Sequence, residues 1–223
     1  MLLPDLRAEV ARYARKMAQS GLVRATQGNL SARDPHSGYI AVTPSGTDYD
    51  LLTPEDVVVV DASGAVVEGK LKPTVETPLH TLILSRRSDV HCVMHTHSIF
   101  ATVFGVTYQD IPAVLAESAL CLGDRIPIAP YQMSGTPEFA QHIADTLGEA
   151  SAIIWGNHGA MVTGQTLGLA FSAAHALEDA AKVYYLAKLI GTPSLLPPEE
   201  VRRLHAFWSE HYGQRHLISE REG

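Results

Sequence analysis

The strand-like and helical segments of this chain do not alternate regularly, and this order limits the possible folds more than any other feature. A parallel sheet needs a crossover, usually a helix, between successive strands. Here two strand-like segments, residues 57–61 and 65–68, follow each other directly around Ala62-Ser63-Gly64, as in a β-hairpin. We therefore predict an α/β fold in which helices cover the faces of a mainly antiparallel or mixed sheet.

Apolar spacing and glycine positions predict the other elements. Apolar residues at helical spacing predict helices over residues 5–20, 76–87 and 167–190. Gly21 and Gly191 follow the first and the last of these, where helices commonly end. The remaining predicted elements are strands at 39–42, 90–95 and 151–155, a short helix at 98–104 capped by Ser98, and a final helix at 199–208.

The composition is that of one ordinary globular domain, which we expect to span residues 1–223. Of the 223 residues, 46% are hydrophobic and 18% are charged. The formal net charge is −7 without any block of Lys and Arg, so no surface for nucleic acid or an anionic membrane is indicated. Cys92 and Cys121 are isolated among apolar neighbours. Such isolated thiols favour a reducing, cytoplasmic environment. The sequence also shows no signal-like or membrane-length apolar stretch, so we expect a soluble protein.

The pair His95-Thr96-His97 is the sharpest chemical signal in the sequence. Residues two apart in an extended segment point to the same side, so both imidazoles can converge on one ion. The alternative is that the two histidines only form hydrogen bonds at the end of a strand. His158 favours a metal, because it lies between small residues directly after a second buried strand. Three imidazoles describe a catalytic zinc site with an open position, although cobalt, iron and nickel also suit such ligands.

Glu76 is the natural acid to accompany these histidines. It begins the helix that precedes the strand ending at His95. The start of that helix can lie near the end of the strand only if the chain reverses between them. A carboxylate beside a metal can bind it or shuttle a proton. The alternative is that Glu76 only complements the helix dipole. His80, four residues later, is a partner on the helix face or a group that supports the site.

Three loops of small residues could bind a phosphate group. They contain Gly28-Asn29, Ser45-Gly46 and Lys72-Pro73-Thr74. Such loops can hold an anion through free backbone N–H groups without an arginine. The same residues also form ordinary turns, which is the alternative for each loop taken alone.

In order along the chain, five motifs resemble the class II aldolase/adducin head family, and most closely its L-fuculose-phosphate aldolase type. The resemblance extends from the first helix to about Tyr212 and rests on five segments. They are Gly28-Asn29-Leu30-Ser31, Thr43-Pro44-Ser45-Gly46, Lys72-Pro73-Thr74-Val75-Glu76, His95-Thr96-His97-Ser98 and Gly156-Asn157-His158-Gly159.

The resemblance implies a three-layer αβα fold around a largely antiparallel sheet, and a cyclic homotetramer with active sites between subunits. It also implies that His95, His97 and His158 bind zinc and that Glu76 is both the catalytic acid/base and a resting-state ligand. The implied phosphate-binding residues are Gly28, Asn29, Ser45, Gly46, Thr74 and, through its backbone N–H, Val75.

Three positions carry information about the reaction. Aldolases of the fuculose-phosphate type have a serine where this chain has Val75, and a catalytic tyrosine where it has Ala116, beside Glu117. A C-terminal tyrosine that serves the neighbouring site is matched by Tyr212. Family epimerases have aspartate at the position of Glu76, which favours an aldolase.

The predicted function is therefore reversible retro-aldol cleavage of a ketose 1-phosphate to dihydroxyacetone phosphate and an aldehyde. A zinc ion would stabilise the enediolate that forms during this reaction. Three other reactions of the family use a similar site: pentulose 5-phosphate 4-epimerisation, and decarboxylation or dehydration of a related sugar-acid or thio-sugar phosphate. A non-catalytic module of the adducin type is disfavoured, since it would have no reason to keep the ligand set.

Overall fold

The computed structural model describes residues 1–211 and contains one eight-stranded sheet with helices on both faces. The strand order is β4-β3-β2-β1-β5-β8-β7-β6. All neighbouring strands are antiparallel except β6 and β7. The elements are α1 Pro4–Gln19, β1 Asn29–Arg33, β2 Ile40–Val42, β3 Val58–Val60, β4 Val66–Glu68, α2 Thr77–Arg86, β5 Cys92–Thr96, α3 Ile99–Thr107, α4 Ala116–Leu122, β6 Ile128–Ala129, α5 Pro137–Leu147, β7 Ala152–Trp155, β8 Gly159–Gly164, α6 Leu167–Ile190 and α7 Pro198–His211.

Two hydrophobic cores lie on opposite faces of this sheet. One joins α1, α3, α4 and α6 to the sheet, and the other joins α2 and α5 to it. Alternation along β5 supplies both cores, since Met94 belongs to the first and Val93 to the second. The expected three-layer αβα fold with a mostly antiparallel sheet is confirmed. No helix among the described residues is long and apolar enough to cross a membrane.

The start of α3 differs from the sequence prediction. Ser98 occupies the N-cap position, but its hydroxyl makes no capping hydrogen bond, so the predicted cap was wrong. Instead the carboxylate of Glu178 on α6 accepts hydrogen bonds from the backbone N–H groups of Phe100 and Ala101, both at 2.9 Å. A negative group at a helix N-terminus satisfies free amides and the helix dipole together. This contact ties α6 to the segment that follows His97.

Candidate active site

The centre of the site is the C-terminal end of β5, on the face that α2 and α5 cover. His95 has the same parity as Val93 and therefore points toward that face. Its ring is buried and stacks on the Trp155 indole of β7, with ring centroids 4.2 Å apart. His95 Nδ1 lies 2.9 Å from the carbonyl oxygen of Ala160, to which it donates. The lone pair of His95 is therefore on Nε2, which faces the other histidines.

His97 and His158 complete a group that could hold a metal ion. One nitrogen from each of the three rings lies within 4.8 Å of the other two. His95 Nε2 and His97 Nε2 are only 2.9 Å apart. Two imidazole nitrogens at this distance are well placed to share one cation. The sequence-predicted ligand set is thus brought together in space.

The β7–β8 hairpin turn delivers His158 to this group. The turn contains Asn157 in a left-handed conformation, with φ of 56°. Gly159 follows directly, and a side chain there would clash with the carbonyl oxygen of Thr96 and crowd the His95 ring. Only glycine allows β8 to pass this close to β5 beside the histidines. The glycine that follows His158 is thus a packing requirement of the site.

Burial keeps the imidazoles uncharged. Burial and the nearby His158 lower the pKa of His95 to about 3. Burial and the nearby His95 lower the pKa of His97 to about 4. Burial also lowers the pKa of His158, although the Glu76 carboxylate opposes this. Neutral imidazole is the form that binds a metal, so the three rings could bind one at neutral pH.

Glu76 faces this group from the N-cap position of α2, because α2 and β5 run in opposite directions. Its carboxylate is 3% exposed and lies 3.7 Å from His95 Nε2 through Oε2 and 3.7 Å from His158 Nε2 through Oε1. The side chain makes no capping hydrogen bond to α2. Its position therefore matches a role beside the three histidines better than the alternative of helix-dipole complementation alone.

A buried polar layer lies behind Glu76. The Asn29 side-chain N–H donates to Glu76 Oε2 at 2.9 Å. His80 contacts Asn29 Oδ1 through Nε2 at 2.6 Å and Ser31 Oγ through Nδ1 at 2.7 Å. Burial lowers the pKa of His80 to about 4, so its ring is neutral at pH 7. Ser31 and Trp155 were not among the predicted site residues. The parity of Ser31 with Asn29 on β1 is a signal that could have found the first.

The three predicted phosphate loops lie around Glu76, but two of their amides are already used. Ser45 N–H donates to the Lys72 carbonyl at 2.9 Å, and Thr74 N–H donates to the Thr43 carbonyl at 3.1 Å. The expectation of free N–H groups was therefore wrong at these two positions, because the two loops pair with each other. Ser45 and Gly46 are both exposed.

The other predicted residues lie as follows. Gly28 packs against the backbone of His95, and its carbonyl accepts a 2.7 Å hydrogen bond from the buried Tyr49 hydroxyl. Val75 is 63% exposed, next to the buried Glu76. Ala116 is exposed at the first turn of α4. Tyr212 lies outside the described residues.

Known proteins resemble this chain in sequence and in fold. The sequence profile described as "Class II Aldolase and Adducin N-terminal domain" matches residues 8–185. The 5-deoxy-D-ribulose 1-phosphate aldolase of Bacillus thuringiensis is 36% identical over 215 residues, which cover 96% of this chain and 100% of that protein. The L-fuculose phosphate aldolase of Escherichia coli is 33% identical over 187 residues, covering 83% of this chain and 86% of that protein.

Among solved structures, an L-fuculose 1-phosphate aldolase matches with a TM-score of 0.88 and 33% identity, covering 92% of this chain and 96% of that one. The sequence profile, the fold and the named relatives all indicate the same family, and the group of three histidines fits that family. The chain belongs to the class II aldolase and adducin N-terminal domain family, in which it is a lyase of the aldolase type.

Proposed function

We propose that this protein is a zinc-dependent class II aldolase that reversibly cleaves a ketose 1-phosphate to dihydroxyacetone phosphate and an aldehyde. The observation that carries the proposal is the convergence of three neutral imidazoles and one buried carboxylate at the end of β5. A non-catalytic module would not need this arrangement.

His95, His97 and His158 would hold the metal, with Glu76 as an additional ligand in the resting state. The residues fit a divalent ion, since three neutral nitrogen donors and one carboxylate are a usual donor set for zinc and its neighbours. When bound, the ion supplies a Lewis acid that draws electron density from the ketone carbonyl of the substrate.

Glu76 would transfer the proton at the carbon that becomes the hydroxymethyl carbon of dihydroxyacetone phosphate. Two features support this role. Its carboxylate lies beside the metal ligands, and it is almost fully buried, so that bulk water does not compete for the proton. One hydrogen bond, from Asn29, orients the carboxylate.

The phosphate of the substrate would bind between the loops that contain Gly28, Ser45-Gly46 and Thr74-Val75. The pairing of the second and third loops supports a preformed cradle, because Ser45 and Thr74 fix them together through backbone hydrogen bonds. The Ser45 hydroxyl and the backbone of Gly46 and Val75 remain as candidate donors. Asn29 would contribute from the inner side of this cradle.

The names of two relatives narrow the substrate class that we propose. One is a 5-deoxy-D-ribulose 1-phosphate aldolase, and another, from Rhodospirillum rubrum, is a 5-methylthioribulose-1-phosphate/5-deoxyribulose-1-phosphate aldolase that is 35% identical over 199 residues, covering 89% of each chain. We therefore place 5-deoxypentulose 1-phosphates first among the ketose 1-phosphates to test. Their cleavage releases a short aldehyde without a terminal hydroxyl group.

We further propose that the protein is a homotetramer in the cytoplasm and that the whole chain, residues 1–223, forms one domain. Each active site would be completed by Tyr212 of a neighbouring subunit. Apolar side chains on the adjacent helices α3 and α6 support burial against another subunit. The exposed ones are Ile99, Val103, Val106, Val183, Leu186, Leu189 and Ile190. Light scattering after gel filtration should give four times the 24.1 kDa chain mass. A monomer would refute the shared site.

Product analysis by NMR tests the proposed reaction. The zinc-loaded protein is incubated with ketose 1-phosphates, including 5-deoxyribulose 1-phosphate, and with pentulose 5-phosphates. We expect dihydroxyacetone phosphate and an aldehyde from a ketose 1-phosphate. An epimerised pentulose 5-phosphate, a decarboxylated acid or a dehydrated sugar as the only product would replace the aldolase with one of the alternative reactions.

A further inference from the structure

Four buried side chains form one continuous line of hydrogen bonds that ends at Glu76. The line runs from Ser31 to His80, from His80 to Asn29, and from Asn29 to Glu76, with distances of 2.7, 2.6 and 2.9 Å. Each of the four residues is at most 6% exposed. We call these residues the Glu76 relay.

The direction of every hydrogen bond in the relay follows from the carboxylate end. An ionised carboxylate only accepts, so Asn29 must present its N–H to Glu76 and its Oδ1 to His80. His80 must then carry a hydrogen on Nε2 to donate to this oxygen. In the neutral ring Nδ1 is left to accept, and the Ser31 hydroxyl donates to it. One arrangement therefore satisfies all four groups.

The secondary structure sets these residues opposite one another. Asn29 and Ser31 are two apart on β1 and share one side of the strand, while Glu76 and His80 are four apart and share one side of α2. One side of α2 therefore faces β1 through two pairs of side chains: Glu76 lies opposite Asn29, and His80 lies opposite Ser31. If the Asn29 amide turned over, its oxygen would face the carboxylate, which is a costly contact in a buried site. Its N–H groups would face His80 Nε2, which could accept them only after the ring hydrogen moved to Nδ1.

We propose that Ser31 and His80 are positioning residues that lock the Asn29 amide in one orientation and thereby hold the Glu76 carboxylate beside His95 and His158. The proposal rests on the proposed function, in which Glu76 transfers the proton. The side chain of Ser31 bonds to His80, and the His80 ring bonds to Ser31 and Asn29. Their influence passes through Asn29.

Three variants and one control test the relay in the zinc-loaded protein. His80→Leu removes the donor to Asn29. His80→Gln places an amide N–H near the former Nε2 and should restore it. Ser31→Ala removes a single hydroxyl. The control is Thr81→Val, since Thr81 is also buried on α2 but its hydroxyl bonds only to carbonyls of its own helix.

The first readout is the exchange of the dihydroxyacetone phosphate proton with deuterium oxide. Displacement of a catalytic group by ~1 Å costs up to about 100-fold in rate, so we expect His80→Leu to lose about tenfold or more. The loss should fall on kcat, with KM for the substrate nearly unchanged. His80→Gln should recover most of the rate, Ser31→Ala should lose less than His80→Leu, and Thr81→Val should match the wild type.

The second readout needs no substrate: crystal structures of the zinc-loaded wild type, His80→Leu and Ser31→Ala. We expect the bond between Asn29 and Glu76 to persist in the wild type and, in His80→Leu, to be lost or shared between two amide orientations. If His80→Leu does not fold, the contact between Asn29 and Glu76 is compared between the wild type and Ser31→Ala instead.

The outcomes separate the relay from the proposed function. An unchanged bond between Asn29 and Glu76 together with wild-type exchange in His80→Leu would overturn the relay and leave the aldolase standing. Equal losses in His80→Leu and His80→Gln would also overturn it, because the lost donor would then not be the cause. A wild type without aldol cleavage or exchange, but with the expected structural change in His80→Leu, would refute the proposed function and support the relay.

Discussion

Acidification should destabilise the metal-free protein through the buried ring of His80. An unfolded histidine takes up its proton near pH 6.5, whereas burial lowers the pKa of His80 in the folded protein to about 4. Between these values the unfolded chain binds more protons than the folded one, so stability is complete above pH 6.5 and falls as the pH drops toward 4. Because the ring is fully buried, solvent screening does not reduce this effect.

The two pKa values set the magnitude. Each pH unit between them corresponds to about 1.4 kcal/mol, so the full effect is about 3 kcal/mol and about 2–3 kcal/mol of it is lost by a pH of roughly 4.5. His80→Gln lacks the titrating ring. It should be less stable than the wild type at neutral pH, but the difference in unfolding free energy should shrink by about 2 kcal/mol on acidification.

The assay is urea unfolding followed by circular dichroism, with EDTA-treated protein at one fixed concentration and at several values of pH. Titrating groups other than Glu76 and His95, which interact electrostatically with His80, are common to both proteins and cancel in the difference. His36→Gln, at an exposed position, is the matched control and should lose stability in parallel with the wild type. If the difference in unfolding free energy between the wild type and His80→Gln stays constant with pH, His80 is not a buried neutral ring.

Three further predictions concern the surroundings of the histidines. Glu178→Gln should lower the unfolding free energy by about 1–2 kcal/mol in thermal or urea unfolding, because the first turn of α3 loses a charged acceptor. Gly159→Ala should weaken zinc binding by about tenfold or more in a competition titration, because the new methyl group clashes with the Thr96 carbonyl and moves the strands apart. Zinc should change the fluorescence of Trp155 with a stoichiometry of one per chain, because its indole stacks on the His95 ring.

Each of these three predictions has a control in the same chain. Asp179→Asn, at the next and exposed position of α6, should leave stability unchanged; an equal loss in both variants would contradict the role of Glu178. Gly191→Ala meets no neighbouring atom and should bind zinc normally, so normal binding by Gly159→Ala as well would contradict the packing argument. Trp208→Phe leaves Trp155 as the single tryptophan, and no zinc response in that variant would contradict the stacked geometry.

Local spacing indicated the histidine pair, because strand parity is a local rule. The parity of His95 and His97 at the end of a strand required no knowledge of distant contacts, whereas the role of Glu76 was assigned only through the family resemblance. The order of strands and helices predicted a mainly antiparallel or mixed sheet covered by helices, and the resemblance to the family added the three-layer αβα arrangement; the three-layer fold and the mostly antiparallel sheet are confirmed. Family membership and the aldolase type are confirmed as well.

Long-range contacts account for most of what the sequence did not reveal. The cap of α3 comes from Glu178, whose side chain belongs to another helix, so the serine before α3 was misleading. The amides of Ser45 and Thr74 are used by pairing between two loops, which neither loop indicates alone. Strand β8 was not predicted, because it has glycine at both ends and directly follows His158 in a segment that reads as a turn. The roles of Tyr212, of the phosphate loops and of the subunit interface stay predictions.

Proton exchange on dihydroxyacetone phosphate is a direct measure of the role proposed for Glu76 beside the three histidines. The zinc-loaded wild type and Glu76→Gln are incubated with this compound in deuterium oxide, exchange is followed by NMR, and bound zinc is measured in both proteins. We predict exchange by the wild type, and loss of exchange in Glu76→Gln while His95, His97 and His158 still retain one zinc per chain. Exchange at the wild-type rate in zinc-loaded Glu76→Gln would contradict the assignment of Glu76 as the group that moves the proton.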